Sequence, residues 1–162
     1  MKLTDANIPS VRLETGSAML LGGLRKQFTP DTYADMPMLR DQFFAICDSV
    51  SNRIGSFAYG AMYSSDAEGN LDYLCGMEVD DFEGLPAEFS RMRVPEQTYA
   101  VFTHSGHSSE LQKTWMYILG EWLPNSDYED AGTPDFERYG PQFDQATGLQ
   151  DMEIWIPVRP KK

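Results

Sequence analysis

The feature that most constrains the fold is an order of segment types that occurs twice along the chain. A strand pattern, a helix pattern and two further strand patterns fill the first half, and the same order follows in the second half. Two local matches accompany this order: residues 59–63 and 139–143 share a Y-G-x-x-aromatic pattern, and residues 72–79 align with residues 151–158. The 162 residues are therefore predicted to form a single domain, 1–162, with pseudo-repeat halves at about 9–80 and 88–158.

Residue periodicity defines the elements of each half. Apolar side chains at spacings of three and four predict helices over residues 33–51 and 109–122, the second burying Leu119 along with its neighbours. Alternating apolar residues and turn residues predict the strands. The predicted strands are 11–28 (bent at its glycines), 57–63, 71–79, 98–103, 136–143 and 152–158. The expected fold class is α+β: duplicated βαββ units form an antiparallel sheet with a concave ligand face, and two helices pack behind it.

Composition narrows the class of protein. Hydrophobic residues make up 41% and charged residues 23%, a normal globular balance. The net charge of −12 argues against direct nucleic-acid binding, which requires Lys and Arg at the phosphates. No apolar run is long enough for a signal peptide or a membrane span, so no membrane association is expected. Two isolated cysteines, Cys47 and Cys75, predict a cytoplasmic location.

Candidate binding residues concentrate in the stretch from Trp122 to Tyr139, W-L-P-N-S-D-Y-E-D-A-G-T-P-D-F-E-R-Y. A strand beginning near residue 136 sets Glu137 between aromatic residues and presents its carboxylate to an apolar space. Tyr139 is expected on the same strand face, Tyr59 from the other half as an opposite wall, and Trp122 at the end of the second helix. The ordinary alternatives are a surface ion pair for Glu137 and core or sheet positions for the aromatic residues.

Three motifs in order resemble a known family. They are W-L-P-x-S-x-Y-E, then P-D-F-E-R-Y, then D-M-E-I-W-I-P-V, and the strongest matches cover residues 115–158. These motifs resemble the effector-binding domain of the GyrI-like group, which also forms the C-terminus of multidrug-sensing activators of the AraC and MerR types. The duplicated element order extends the resemblance to nearly the whole chain.

The resemblance implies a cytoplasmic domain that binds lipophilic cations. It implies that Glu137 lies in an aromatic pocket and neutralises the ligand, and that Glu153 and Trp155 on the next strand line the same pocket. The sequence shows no helix-turn-helix pattern before the repeat, so a role in transcription would need a separate DNA-binding partner. A homodimer is the other assembly considered.

The leading functional hypothesis is a stand-alone binding protein for lipophilic organic cations, a sensor or sequestering protein. A carboxylate in an apolar cavity is costly to desolvate, and a cation without hydrogen-bond donors relieves that cost while aromatic faces add attraction. The first alternative is a small-molecule hydrolase in which Glu137 is the general base and Tyr59 or Tyr139 orients the water. The second alternative is an inhibitory protein-interaction module.

Other kinds of site receive little support from the sequence. His104 and His107 flank a glycine turn without a cysteine or third ligand nearby, so no metal site is expected. No phosphate-binding loop and no nucleophile motif is present, so neither a cofactor nor a catalytic residue is assigned.

Overall fold

The computed structural model describes residues 9–47, 50, 52–55, 57–65, 68–104, 111–140 and 152–161. Nine strands lie within these ranges. They are β1 (Ser10–Gly16), β2 (Met19–Phe28), β3 (Ala58–Ser65), β4 (Leu71–Val79), β5 (Ser90–Val94), β6 (Gln97–His104), β7 (Tyr128–Asp130), β8 (Asp135–Tyr139) and β9 (Met152–Pro160). The α+β class expected from the sequence is confirmed.

Two helical segments separate the strands. Helix α1 (Met36–Ile46) follows a 3-10 turn at Tyr33–Asp35, and Pro37 lies in its first turn, where a missing backbone N–H costs no hydrogen bond. Helix α2 (Leu111–Tyr117) continues into a π-helical turn (Ile118–Trp122) and a last short turn, α3 (Leu123–Asn125). The helix thus runs past the predicted end at residue 122, because Pro124 lies within the first turn of α3 and not beyond the helix.

The strands form an antiparallel sheet in the order β1-β6-β9-β8-β3-β4-β2-β5, and β7 pairs with the end of β9. Outwards from the central β3–β8 pair, the order β3-β4-β2-β5 on one side matches β8-β9-β6-β1 on the other. The two sides exchange their edge strands, because β1 pairs with β6 and β5 pairs with β2. The long bent strand predicted over residues 11–28 is wrong: β1 and β2 lie at different places in the sheet.

The two helical segments cover one face of the sheet, called here the helix face. Helix α1 packs on β2 and β4 around Phe43, Tyr73 and Met77. The second helical segment packs on β6 and β9 around Phe102 and Ile118. Between these two clusters, Phe44 of α1 and Leu111 of α2 both contact a small central cluster, so the two helical segments flank the middle of the sheet.

The opposite face is called here the curled face, because its side chains close over one another. Met92 lies on the edge strand β5, and Val101 lies on β6, next to the opposite edge strand, yet both belong to one apolar cluster. Tyr59, Phe136 and Trp155 lie in the same cluster and are at most 5% exposed. The side around which the sheet bends is therefore filled by the protein's own aromatic residues.

One helix prediction is wrong in detail. Leu119 was expected to be buried, but its side chain is 48% exposed. The backbone N–H of Leu123 bonds the carbonyl of Ile118 five residues earlier, so this turn contains one more residue than an α-helical turn. The extra residue shifts the apolar spacing from which the burial of Leu119 was predicted.

Candidate functional site

The two faces of the sheet separate the predicted site residues. Side chains alternate along a strand and cross-strand partners share a face. In the central pair, Gly60 faces Glu137 and Ala58 faces Tyr139, while Tyr59 faces Arg138. Glu137 and Tyr139 therefore lie on the helix face, between the two helical segments.

Glu137 is buried, with 6% of its surface exposed, and its carboxylate accepts three hydrogen bonds from aromatic side chains. Tyr139 Oη donates to Oε1 at 2.6 Å, and Tyr73 Oη donates to the same oxygen at 3.3 Å. Trp115 Nε1 on α2 donates to Oε2 at 2.8 Å. Among the described residues, no basic side chain forms a salt bridge with this carboxylate. The buried charge is held by neutral donors.

Arg40 on α1 reaches the same network from the other helix. Its Nη2 donates to Tyr139 Oη at 3.1 Å, and its guanidinium lies 4.8 Å from the centre of the Tyr139 ring. Its Nε is buried and has no hydrogen-bond acceptor within the described part of the chain. Tyr139 thus links a guanidinium to a carboxylate, since its hydroxyl accepts from Arg40 and donates to Glu137.

The electrostatic setting fixes the protonation of the groups around Glu137. Burial raises the pKa of Tyr73 and Tyr139 above the ordinary value, and the negative charge of Glu137 raises both further. Both phenols therefore keep their protons and remain donors at physiological pH. Burial by itself lowers the pKa of Arg40, but the neighbouring Tyr139, Tyr73 and Glu137 outweigh this effect and raise it. Arg40 remains a cation.

Gly60 leaves the space that this network occupies. A Cβ atom at this position would lie 2.1 Å from Tyr73 Oη and 3.1 Å from Glu137 Oε1. The phenol and the carboxylate therefore lie directly above a residue without a side chain. Any other amino acid at this position would push Tyr73 away from Glu137 or move the strand.

A second carboxylate, Asp135, shares the face of Glu137 two residues earlier on β8. Burial is the main cause that raises its pKa to about 7, and the negative charges of Asp130 and Glu137 add to the increase. This side of the site thus contains a carboxyl group that titrates near neutral pH.

Three of the predicted site residues do not lie on the face of the sheet that holds Glu137. Tyr59 and Trp155 lie on the curled face, where Trp155 stacks on Phe136 with ring centres 5.4 Å apart. Glu153 also faces this side and bonds Arg12 Nη2 at 2.9 Å and Arg138 Nη2 at 2.5 Å. The structure does not bring these three residues together with Glu137. Their cross-strand partners on β8 are Arg138 and Phe136, which each lie one position from Glu137 and therefore face the other side of the sheet.

The two tryptophans of the second helical segment differ in their relation to Glu137. Trp122 stacks edge-on against Phe102 at 4.9 Å and lines a surface cleft of about 410 Å³ with Tyr117, Glu121, Asn125 and Ser126. This cleft does not include Glu137. Trp115, which the sequence did not single out as a site residue, is the one whose indole binds the carboxylate.

Sequence reasoning missed Tyr73, Arg40 and Gly60 as site residues. Tyr73 carried a usable signal: it alternates with Cys75 and Met77 in an apolar strand, and a buried tyrosine hydroxyl requires a partner. Neither Cys47 nor Cys75 forms a disulfide, and burial raises the pKa of the Cys75 thiol to about 12, so it stays protonated. Arg40 carried no such signal, because a single arginine in an amphipathic helix is normally at the surface.

The described residues contain no cluster of three or more His, Cys, Asp or Glu side chains that could hold a metal ion. His104 Nδ1 lies 2.7 Å from Thr114 Oγ1, whereas His107 lies outside the described residues. Within the same ranges, no helix combines the length and apolarity needed to cross a bilayer.

Comparison with known proteins places this geometry in context. The sequence model of the GyrI-like small molecule binding domain matches residues 9–159. The transcriptional regulator BrlR of Pseudomonas aeruginosa is 31% identical over 102 residues, 62% of this chain and 37% of the regulator. A DNA gyrase inhibitor of Erwinia billingiae is 30% identical over 91 residues, 51% of this chain and 58% of the inhibitor. The chain thus spans less than two thirds of each of these relatives.

Among solved structures, the protein SAV2435 bound to tetraphenylphosphonium superimposes with a TM-score of 0.73. The alignment covers 93% of this chain and 94% of that one at 18% sequence identity. At this identity the likeness establishes the common fold.

Proposed function

Because the chain belongs to the family of GyrI-like small-molecule binding domains, we propose that it binds lipophilic organic cations and that Glu137 is the charge that recognises them. The observation that carries this proposal is a buried carboxylate with three neutral aromatic donors and no direct salt bridge among the described residues. A buried carboxylate is costly unless hydrogen-bonded or paired, and an incoming cation would supply the missing opposite charge.

The aromatic surroundings suit a cation that has no hydrogen-bond donors. Tyr73, Tyr139 and Trp115 already surround the carboxylate, and aromatic faces attract cations by about 0.5–2 kcal/mol each. Such attraction does not depend on an exact donor geometry, so several flat or globular cations can satisfy it. Glu137 lies on the helix face between the two helical segments. Ligand sites often lie between helices, which supports the proposal.

A ligand can reach Glu137 only if a covering side chain moves, because the carboxylate is 6% exposed. Trp115 is the group to displace: its indole occupies Oε2, and it lies on α2, just before the π-helical turn at Ile118–Trp122. π-helical turns are rare and recur at functional sites in helices. In the bound state the hydrogen bond that the indole donates would be lost, and electrostatic attraction between the cation and the carboxylate would take its place.

Tetraphenylphosphonium tests the proposal, since it is a lipophilic cation without donors and a protein of the same fold binds it. Calorimetry and tryptophan fluorescence should both report its binding. Glu137→Gln keeps the size of the side chain and removes the charge, so affinity should fall about a hundredfold, as expected for a charge pair about 5–6 Å apart at an effective dielectric constant of about 20.

Glu153→Gln is the matched control, because Glu153 also lies beside an aromatic residue but on the curled face. It should change the affinity by less than about twofold. Triphenylphosphine oxide, which is uncharged, should bind at least tenfold more weakly than the cation. Equal affinity for the uncharged compound, or an equal loss in both glutamine variants, would refute recognition by Glu137.

A hydrolase on the same scaffold is a second candidate, favoured by the 2.6 Å hydrogen bond between Tyr139 and Glu137. Glu137 would take a proton from a water molecule, and Tyr139 or Tyr73 would orient that water. Tyr59 no longer fits this role because it lies on the curled face. Steady consumption of an electrophilic small molecule that Glu137→Gln abolishes would favour catalysis, whereas saturable binding without product would exclude it for that compound.

The biological setting that we propose is effector sensing or sequestration in the cytoplasm. Both cysteines are buried and neither forms a disulfide, which agrees with a reducing compartment. BrlR is named as a transcriptional regulator, and we propose that any regulatory role of this chain is exerted through a DNA-binding partner. Co-purification of the chain with a DNA-binding protein, gained or lost on adding tetraphenylphosphonium, would test this proposal.

A further inference from the structure

Arg40 is the one cationic side chain that the described residues place on the Glu137 network, and binding of a cation does not explain it. Its guanidinium stacks on Tyr139 and bonds the hydroxyl that in turn bonds Glu137. A ligand that carries only a positive charge would enter a site that already contains one. The charge of such a ligand and the charge of Arg40 would repel each other in a site that is partly shielded from water.

The hydrogen-bonding state of Arg40 is also incomplete. Its Nε is buried and has no acceptor in the described part of the chain, although a guanidinium offers five N–H donors. Leaving a buried charged donor without a partner is costly. Here the missing partner is an acceptor, and an anionic oxygen would satisfy it best.

We propose that Arg40 determines ligand specificity: the site prefers lipophilic cations that also carry an anionic or strongly accepting oxygen, so that the cation meets Glu137 and the oxygen meets Arg40. This inference rests on the proposed function and names its ligand class more narrowly. The two recognition groups come from different elements, Glu137 from β8 and Arg40 from α1. Tyr139 bonds both groups, and Tyr73, which also bonds Glu137, lies beside Arg40 as well.

A pair of phosphonium compounds of equal length provides the probe. Carboxybutyl-triphenylphosphonium is a zwitterion at neutral pH, and pentyl-triphenylphosphonium is a cation with a methyl group in place of the carboxylate. With the unaltered protein, calorimetry should show the zwitterion binding about tenfold more tightly, because the carboxylate–guanidinium contact adds a charge-assisted hydrogen bond. Weaker binding of the zwitterion than of the pentyl compound would overturn the inference.

Arg40→Met keeps a long side chain that can pack on Tyr139 but removes the charge. It should weaken zwitterion binding about tenfold and strengthen binding of the pentyl compound, so that the preference reverses. Arg40→Lys keeps the charge and should preserve the preference for the zwitterion. Arg12→Met removes an arginine from the curled face, where it bonds Glu153, and should leave the preference unchanged.

The outcomes separate this inference from the function on which it rests. If both compounds bind and Glu137→Gln weakens both, but Arg40→Met changes both affinities by the same factor, Arg40 only positions Tyr139 and the specificity role is refuted. If neither compound binds, or Glu137→Gln weakens neither, the proposed function fails and the specificity role fails with it. A melting temperature of Arg40→Met within a few degrees of the parent protein excludes misfolding as the cause.

Discussion

Glu137 and Glu153 lie on neighbouring strands, each close to an aromatic residue, yet they have opposite surroundings. Glu137 lies on the helix face and is held by two phenols and an indole. Glu153 lies on the curled face and bonds two guanidinium groups, from Arg12 and Arg138. Although burial by itself raises the pKa of Glu153, hydrogen bonds from Arg12, Trp155 and Arg138 lower it below its ordinary value.

The comparison shows why an acid beside an aromatic residue in a sequence is not yet a binding site. Glu153 already has its countercharges, and Arg138 is itself enclosed between Phe57 at 4.2 Å and Trp155 at 4.8 Å. A ligand there would have to displace arginines that are stacked and paired. Within the described residues Glu137 has hydrogen bonds but no direct salt bridge, so a cation has electrostatic energy to gain at this position.

The largest loss of stability is expected from a substitution at Gly60, because the residues around Glu137 occupy the space that a side chain there would need. Gly60→Ala places a methyl group 2.1 Å from Tyr73 Oη, and overpacking of this kind costs about 1–3 kcal/mol. Urea denaturation should show this loss, and affinity for tetraphenylphosphonium should fall as Tyr73 moves. Gly120→Ala is the control, because no atom of the described residues lies within 4 Å of its Cβ position; it should be neutral or stabilising. Equal stability of the two variants would contradict the close approach at Gly60.

A second prediction concerns the pH dependence of stability on the helix face. There the pKa of Asp135 is raised from 3.8 to about 7. As pH rises through this window, Asp135 ionises first in the unfolded state, so its contribution to stability is lost between about pH 4 and pH 7. Asp135→Asn should therefore raise the melting temperature at pH 8 by about 5 °C more than at pH 4.

Asp127→Asn is the control for this pH series, because Asp127 is exposed in the loop before β7. Its melting temperature should follow that of the parent protein at every pH. A gain for Asp135→Asn that is the same at pH 4 and pH 8 would show that Asp135 does not titrate as proposed.

The smallest effect is expected on the curled face. Glu153→Gln should cost about 1 kcal/mol near pH 7, since Glu153 and its partner Arg138 are partly exposed, at 21% and 23%. Because the folded pKa of Glu153 lies below 4.5, this stabilisation is present above that pH and is lost as pH falls through the folded value. Unfolding curves at pH 7 and pH 3 should show the difference between variant and parent shrinking. A constant difference would mean that packing, and not charge, holds this side chain.

Part of the site could be predicted from the sequence because local patterns encode it. Glu137 follows an apolar residue at the start of a strand, and Tyr139 shares its face because side chains two apart on a strand point the same way. The same parity rule could have excluded Arg138 as a partner of Glu137. This rule does not relate Tyr59 to Tyr139, because they lie on different strands; the shared Y-G pattern aligns them, but the pairing of β3 with β8 sets them on opposite faces.

By itself, the sequence determined the α+β class, the repeated element order and the residue-by-residue alternation that turns Glu137 to one side of its strand. These follow from periodicity and from short-range sterics, which act within a few residues. Only the tertiary structure decided which face the helices cover, that β1 and β5 exchange sides, and that Tyr73, Trp115 and Arg40 meet at Glu137. These contacts join residues that are 22 to 99 positions apart in the sequence. They depend on the order and register of the strands, which no local pattern specifies.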